Sequence, residues 1–313
     1  MNALVPWNTF GLPYGIPQAA PPGWLHVAAR FARLLEGIGV PQSSIDDGMT
    51  KALGIVTVLN KAYWPRGWSE APGKLVGSWG KHTRVHPSGD LDLLYLLPPE
   101  VFDRFAMRQG NRQSQLLQEM KETLKATYPR TDLRGDGQVV VVDFFSIKVE
   151  VVPAFLAVGG GVVTCDTNTG GRYRVSDPAA EVASLDRADR TTSGRARALV
   201  RLMKLWKRTS GVDIPSFAFE ILAVEFLATY EHAHQPWWDW LVRDFLAFLH
   251  SRSDTWICFP VTGEPYWLGR QWGPAAMRAL RAAEAACANE QLNFDGLAAD
   301  QWCAVFGRRV LGS

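Results

Sequence analysis

Acidic and apolar residues alternate from Asp90 to Leu93 and then give way to an apolar run, a pattern that constrains the fold more than any other in this chain. Because side chains alternate between the two faces of a strand, Asp90 and Asp92 are predicted to point the same way, with Leu91 and Leu93 pointing into a core. Two carboxylates side by side on one face repel each other. They are expected to share a hard cation such as Mg²⁺, which prefers oxygen ligands.

A Gly77-Ser78 pair precedes this strand and predicts a turn that is open to a ligand. Gly77 has no Cβ, so a ligand can approach the backbone there. Ser78 adds a hydroxyl, and the N–H groups after it can bind a phosphate oxygen. A phosphate cradle beside metal-binding carboxylates is the minimum set for transfer of a nucleotidyl group. Each piece alone also fits an ordinary hairpin, but their order and the apolar run that follows favour the functional interpretation.

A third carboxylate is predicted further along the chain, in the second of two β-forming runs. The strand Ile147–Val152 is expected to end at Pro153, because proline cannot continue a central strand. Glu150 lies among valines there, where an unpaired charge is costly and a metal or another cation would offset the cost. Two alternatives stay open. Glu150 is an ordinary exposed strand residue paired with Lys148, or Asp143, nearer the turn, supplies the third ligand.

These motifs resemble those of the polymerase-β-like nucleotidyltransferases, and more narrowly those of the cyclic-GMP-AMP-synthase/DncV-like nucleotidyltransferases of bacterial anti-phage signalling (CBASS). The resemblance spans residues 25–290 and rests on the order of the motifs, since the first of them alone fits many nucleotidyltransferases. The matching segments are Gly77-Ser78, Asp90-x-Asp92, Val149-Glu150-Val151-Val152-Pro153-Ala154-Phe155, Arg201-Leu202-Met203-Lys204-Leu205-Trp206-Lys207, and Pro215-Ser216-Phe217 with Glu220.

The resemblance implies an α+β fold, in which a polymerase-β-like core of mixed sheet and helices is followed by a C-terminal helical lobe, with an active-site cleft between them. It implies that Asp90, Asp92 and Glu150 are catalytic and bind two Mg²⁺ ions, for which Mn²⁺ can substitute. The substrate-binding residues that it implies are Gly77, Ser78, Lys204, Ser216 and Phe217. Among these, Lys204 and Ser216 are expected on the donor triphosphate and Phe217 on the donor base.

Two residues depart from the pattern of the family. Many members have Asp where this chain has Glu150, and many have Tyr where it has Phe217. Glutamate is one methylene longer but keeps the oxygen ligands, so metal binding survives the first change. Phenylalanine keeps the stacking face and loses the hydroxyl, so a hydrogen bond from that hydroxyl is lost with the second.

The activity implied by the resemblance is the joining of nucleoside triphosphates, with ATP and GTP as the expected substrates, into a cyclic di- or oligonucleotide second messenger of the cyclic GMP-AMP type. Pyrophosphate is released, and the resemblance allows for a regulatory protein partner. Two alternatives stay open: a linear nucleotide-adding enzyme that acts on an RNA end or a protein hydroxyl, and a catalytically silent nucleotide-binding regulator. The intact carboxylates argue against the silent regulator.

Composition narrows the partners and the compartment. The 313 residues carry 33 basic and 31 acidic side chains, a balance that gives no global attraction to long nucleic acid or to a membrane. The four cysteines are far apart and form no C-x-x-C pair, so neither a zinc site nor a disulfide framework is indicated. Free thiols and the lack of an apolar run of about 20 residues lead us to expect a cytoplasmic protein without a membrane span.

The chain is predicted to have three parts. Residues 1–23 form a Pro-rich N-terminal arm, residues 24–180 a nucleotidyltransferase core with N-terminal helices, and residues 181–313 a helical lobe. The Gly-rich residues 156–178 are predicted as a loop that either covers a ligand or simply connects the lobes. Helices are predicted over 24–35, 44–62, 112–127, 194–208, 216–231, 236–250, 273–289 and 295–306.

Two of these helices carry candidate substrate residues. In the helix 194–208, Lys204 belongs to a basic face opposite an apolar one, and that face either is solvated or lines the cleft. The resemblance favours the cleft for Lys204 alone. Ser216 is expected at the N-cap of the next helix, where its hydroxyl either caps the helix or binds a phosphate. Phe217 fits either a core position or a stacking platform, and His82 and His86 are expected on the surface.

Overall fold

The computed structural model describes residues 26–64, 72–235, 237–260 and 262–307. These residues divide into two compact units. The first unit takes residues 40–84 and 88–182, and the second takes residues 26–39, 85–87 and 183–307, each within the described ranges. The arm predicted over residues 1–23 lies outside the described residues.

The first unit is built on a mixed seven-stranded sheet in which β2 and β5 run parallel and the other neighbours are antiparallel. The order is β1-β2-β5-β4-β3, while β6 pairs with β5 and β7 pairs with β6. The strands are β1 (Gly73–Leu75), β2 (Leu91–Leu96), β3 (Asp132–Asp136), β4 (Val139–Asp143), β5 (Lys148–Leu156), β6 (Val162–Asp166) and β7 (Arg172–Ser176).

One face of this sheet is covered by helices and forms the core of the first unit. Leu91 and Leu93 are fully buried there in one cluster with Ile55 of α2 and Met120 of α5, as the alternation of β2 predicts. Leu94, on the other face, belongs to a separate, smaller apolar cluster. The helices are α2 (Gln42–Tyr63), α3 (Gly77–Gly80), α4 (Pro99–Ala106) and α5 (Arg112–Thr127).

Strand β5 does not end at Pro153, so that prediction from the sequence is wrong. The strand continues to Leu156, and Pro153 is the register partner of Tyr95. The strand on the opposite edge of β5 changes at this point, because β4 pairs with β5 as far as Val151 and β6 pairs with β5 from Ala154. The missing N–H of the proline therefore falls where β5 passes from one partner strand to the next, and the ladder loses little.

The Gly-rich segment 156–178 is also not a loop. It contains the antiparallel strands β6 and β7, which carry β-branched and aromatic residues, as in Val162-Val163-Thr164 and Tyr173. The glycines occupy the turns on either side of β6, and Gly159, Gly160 and Gly161 have positive φ angles. The glycines thus mark turns between strands and not one continuous loop.

The second unit is helical, as the sequence predicts. Its core contains buried aromatic side chains, among them Phe31, Trp206, Phe245 and Trp302. Its helices are α1 (Val27–Gly37), α7 (Arg195–Ser210), α8 (Ser216–Thr229), α9 (Trp238–Ser251), α10 (Gly273–Gln291) and α11 (Asp295–Phe306). A hairpin of β8 (Trp256–Cys258) and β9 (Pro265–Trp267) lies between α9 and α10 in the sequence. The sequence reasoning missed this hairpin, α4 and α6 (Pro178–Thr191).

The α+β fold class is confirmed by these elements, and the observed bounds of α5 and α11 are the predicted ones. Helix α1 starts at Val27 in the structure, and residues 24 and 25 of the predicted helix lie outside the described residues. None of the helices within the described ranges has the length and apolar character needed to cross a bilayer.

Candidate active site

Two of the predicted carboxylates meet at one ammonium group in the first unit. The Nζ atom of Lys148 lies 2.8 Å from Oδ2 of Asp90 and 3.4 Å from Oε1 of Glu150. Lys148 and Glu150 are two residues apart on β5 and therefore share a face of the sheet, while Asp90 comes directly before β2. The parallel pairing of β2 with β5 thus brings together residues that are far apart in the sequence.

The remaining predicted carboxylate, that of Asp92, belongs to the residue directly opposite Glu150 in the pairing of β2 with β5. Its side chain lies close to Gly77, at the start of the short helix α3. A Cβ added to Gly77 would stand 2.8 Å from Cγ of Asp92 and closer still to its Oδ2. Gly77 has φ +55°, and the backbone N–H of Val76 donates to the Asp92 carbonyl at 3.0 Å. The glycine is thus required both by the backbone conformation and by the proximity of the carboxylate.

The electrostatics of the group follow from burial and charge. Burial, followed by the charge of Asp90, raises the pKa of the Glu150 carboxyl above its ordinary value, and the Lys148 ammonium opposes that rise. The hydrogen bond to Asp90 raises the pKa of Lys148, which keeps the ammonium charged. The side chains of these residues are 25% exposed at Glu150, 28% at Lys148 and 40% at Asp90, so this group can be reached from solvent.

The residues can be tested against the metal that the sequence predicts. Within the described ranges, no group of three or more His, Cys, Asp or Glu side chains is gathered closely enough to hold a metal ion. The carboxylates of Asp90 and Glu150 do share one positive charge, and carboxylate oxygens are the ligands that Mg²⁺ prefers. The donor set therefore fits a divalent ion, with two ligands brought together and Asp92 aligned beside Glu150.

The rival ligand Asp143 takes a different partner. It is the register partner of Lys148 on β4, and its Oδ2 lies 3.7 Å from Nη1 of Arg134 on β3. The alternative in which Glu150 simply pairs with Lys148 describes one observed contact correctly. Lys148 also forms a second and shorter ion pair, with Asp90. Ser78 lies in α3, partly exposed, next to the buried Trp79.

The candidate substrate residues Lys204, Ser216 and Phe217 belong to the second unit. Lys204 is 9% exposed, and its Nζ lies 3.2 Å from Oε1 of Glu220, which is 8% exposed. Because Glu220 and Ser216 are four residues apart on α8, they share a helix face, and this ion pair lies about one turn from Ser216.

The basic face of α7 is neither simply solvated nor free. Arg197 binds Asp189 and Asp186, Arg201 donates to the carbonyl of Leu35 at 2.8 Å, and Arg208 donates to that of His86 at 2.7 Å. These contacts lie within the second unit. His82 and His86 are exposed, as predicted.

The prediction that Ser216 occupies the N-cap position of α8 is wrong. Pro215 occupies the N-cap position, Ser216 is the first helical residue, and no side-chain capping bond is present there. The φ of Pro215, −66°, is fixed by its ring and sets the direction in which the chain enters the helix. The Ser216 hydroxyl is therefore not used for the cap.

Phe217 lies between the core and the surface. Its ring centroid is 5.0 Å from those of both Phe259 and Tyr266, which belong to the β8–β9 region, and all three residues are partly exposed. Sequence reasoning missed Phe259 and Tyr266, because only the tertiary fold brings the hairpin to α8. The pattern Lys148-x-Glu150 places both residues on one strand face, but the contact of Lys148 with Asp90 depends on the pairing of β2 with β5 and leaves no local signal in the sequence.

Comparison with known proteins identifies a domain family. Residues 25–188 match the Second Messenger Oligonucleotide or Dinucleotide Synthetase (SMODS) domain, slightly more than half of the chain. The match contains Asp90, Asp92 and Glu150. No curated protein sequence matches the chain significantly.

Solved structures with the same fold include three bacterial proteins. CdnC of Escherichia coli MS115-1, in a complex with HORMA-deltaN, has a TM-score of 0.67 and 16% identity, with 91% of this chain and 98% of that chain covered. CdnG of Bradyrhizobium diazoefficiens, in complex with GTP, has a TM-score of 0.65 and 11% identity, covering 93% and 97%. The DncV cyclic AMP-GMP synthase of Vibrio cholerae, with the linear intermediate pppA(3′,5′)pG, has a TM-score of 0.62 and 12% identity, covering 92% and 88%.

Proposed function

The chain belongs to the Second Messenger Oligonucleotide or Dinucleotide Synthetase family and is a nucleotidyltransferase, and we propose that it joins nucleoside triphosphates into a cyclic di- or oligonucleotide with release of pyrophosphate. The observation that carries the proposal is the position of Asp90 and Glu150 around one positive charge, with Asp92 in register beside Glu150. Asp90 comes directly before β2, and Asp92 lies on β2 opposite Glu150 of the parallel strand β5, so the pairing gathers three acidic residues in one region of the sheet.

The proposal assigns metal binding to the three carboxylates. Asp90, Asp92 and Glu150 would hold two Mg²⁺ ions, or Mn²⁺ in their place, and these supply Lewis-acid stabilisation and an activated acceptor hydroxyl. Glu150 adds one methylene to the reach of the usual aspartate and keeps the same donor atoms. Gly77 leaves room beside Asp92 that any larger residue would fill, and the hydroxyl of Ser78 is assigned to a phosphate oxygen.

In the second unit, the proposal assigns a nucleotide to residues of α7 and α8. The ring of Phe217 offers a partly exposed face for a base, and the Ser216 hydroxyl, which is not used as a cap, is available to a phosphate. Lys204 would exchange Glu220 for the triphosphate, because a polyanion competes well for a buried ammonium. ATP and GTP are the proposed substrates, since relatives of the same fold are described with ATP and with GTP.

We also propose a biological role for the product and a protein partner for the enzyme. We assign the product to anti-phage signalling in the cytoplasm, where nucleoside triphosphates are abundant. The CdnC relative forms a complex with a HORMA protein, and we extend to this chain the idea that a regulatory protein controls synthesis. A long nucleic acid is not required in this scheme, in agreement with the balanced net charge of +2.

The test is mass spectrometry of the products formed from all four nucleoside triphosphates with Mg²⁺ or Mn²⁺. We expect phosphatase-resistant cyclic products from the wild-type chain and none from a variant carrying Asp90→Asn and Asp92→Asn. Phosphatase-sensitive products would support the linear nucleotide-adding alternative. Nucleotide binding without pyrophosphate release would support the silent regulator. Undiminished turnover by the double variant would remove Asp90 and Asp92 from the mechanism and with them the proposed metal site.

A further inference from the structure

The ammonium of Lys148 lies between the carboxylates of Asp90 and Glu150, where a metal cation bound by both would lie. Its ammonium contacts Asp90 at 2.8 Å and Glu150 at 3.4 Å, and its side chain is 28% exposed. Its register partner Asp143 lies instead with Oδ2 3.7 Å from Nη1 of Arg134. Within the part of the chain that the structure describes, the ammonium forms its ion pairs with Asp90 and Glu150.

Without this lysine, Asp90 and Glu150 would face each other on a partly buried surface with no positive charge between them. Two carboxylates that both contact one ammonium group are close enough to repel each other, and the repulsion is stronger where water is partly excluded. The carboxylates would move apart. The positions of both side chains therefore depend on a cation, and Lys148 supplies one from the protein itself.

A divalent ion needs the oxygens that Lys148 now holds. An ammonium group and a metal ion cannot both occupy the space between the same two carboxylates, because each is a cation at contact distance. Lys148 is joined to the end of β5 through a flexible four-carbon chain and faces solvent, so its ammonium can move away without any change of the sheet.

We propose that Lys148 is a positioning residue that holds Asp90 and Glu150 together before a divalent ion binds and leaves their oxygens when the ion arrives. The inference rests on the proposed metal site. It adds that divalent ions compete with a resident lysine, so that the site is stable without metal and binds metal less tightly than its carboxylates alone would allow.

The experiment compares Lys148→Met with a matched control, Lys121→Met, in the full-length protein. Lys121 pairs with Glu122 at 3.3 Å on α5 and takes no part in the site. Titration calorimetry with Mn²⁺ is expected to show binding about five- to tenfold tighter in Lys148→Met, the size expected when two competing, partly exposed ion pairs are removed. Lys121→Met is expected to bind Mn²⁺ as the wild-type chain does.

Thermal unfolding gives the second measurement. In EDTA, Lys148→Met is expected to unfold at a lower temperature than the wild-type chain. Saturating Mg²⁺ is expected to raise the Tm of Lys148→Met by more than it raises the Tm of the wild-type chain. Lys148→Arg keeps the charge and should stay near the wild type in both assays. Equal or weaker Mn²⁺ binding in Lys148→Met, or no Mn²⁺ binding in either protein, would overturn the inference. Failure of the proposed function is seen separately, as nucleotide turnover that persists when Asp90 and Asp92 are both replaced by Asn.

Discussion

Replacing Gly77 by alanine should damage the site through two separate effects that can be measured apart. The backbone at Gly77 has φ +55°, a conformation that costs an L-residue about 1–2 kcal/mol. The new methyl group would also stand 2.8 Å from Cγ of Asp92, much closer than carbon atoms pack. Overpacking of this kind costs about 1–3 kcal/mol. The expected loss in free energy of unfolding is therefore about 2–5 kcal/mol.

The overlap cannot be relieved by a movement of the strand. β2 pairs with both β1 and β5, and the Asp92 carbonyl accepts a hydrogen bond from Val76, so the backbone of Asp92 is fixed. The side chain of Asp92 must rotate instead, which moves its carboxylate away from Glu150. Nucleotide turnover by Gly77→Ala is therefore expected to fall by more than the loss of folded protein explains.

Two other glycines separate the effects. Gly211 has φ +64° and no atom within 4 Å of an added Cβ, so Gly211→Ala should show the backbone strain alone, about 1–2 kcal/mol. Gly89 has neither a positive φ nor a near neighbour, and Gly89→Ala should change stability by less than about 0.5 kcal/mol. Urea unfolding followed by tryptophan fluorescence measures all three. If Gly77→Ala costs no more than Gly211→Ala and keeps full turnover, the packing argument at Asp92 is refuted.

Three further predictions test other parts of the structure. At pH 8 a disulfide reagent should modify the exposed Cys258 quickly and leave Cys165 intact until unfolding, because burial raises the pKa of Cys165 to about 12; equal rates would contradict this. Burial raises the pKa of Glu119, but its arginine partners outweigh burial and hold that pKa below the usual range, so their stabilisation is complete above the ordinary glutamate pKa and is lost as the pH falls through the lowered value. In urea unfolding at pH 7, Glu119→Gln should lower the free energy of unfolding by about 1 kcal/mol, and this difference from the wild type should disappear in acid. A difference that is the same at both pH values would contradict the argument. Glu220→Ala should cost about 3–5 kcal/mol, because it removes the carboxylate from the buried ammonium of Lys204, and adding Lys204→Met should recover most of that loss in the same assay.

Side-chain periodicity in the sequence is sufficient to predict which face of a helix or strand is buried, because the periodicity depends on local backbone geometry alone. The alternation around Asp92 correctly predicts that Leu91 and Leu93 are buried, and the period of α7 predicts its apolar face around Leu202 and Trp206. The order of the motifs is sufficient for the fold class and the family. These successes depend on neighbours along the chain or on the order of short motifs.

The errors occur where a distant partner decides the outcome. Pro153 is tolerated in β5 because two other strands divide that edge between them, which is a property of the whole sheet. The sequence predicts Glu150, two residues along the strand, as the partner of Lys148, whereas the shorter contact of Lys148 is to Asp90, directly before β2. Phe217 meets Phe259 and Tyr266 only through the tertiary fold. Local patterns contain no information about these partners.

The pairing of Asp92 with Glu150 is nevertheless fixed by the core rather than by the acidic groups themselves. A shift of β5 by one residue against β2 would turn Glu150 into the buried face that Val149 and Val151 now fill at 0% exposure. Burying a carboxylate there is far more costly than any gain from a different pairing. The leucines and valines thus set the register, and the register aligns the carboxylates. A polar substitution at Leu93 should therefore disturb the site and the stability together, even though Leu93 points away from the acidic face.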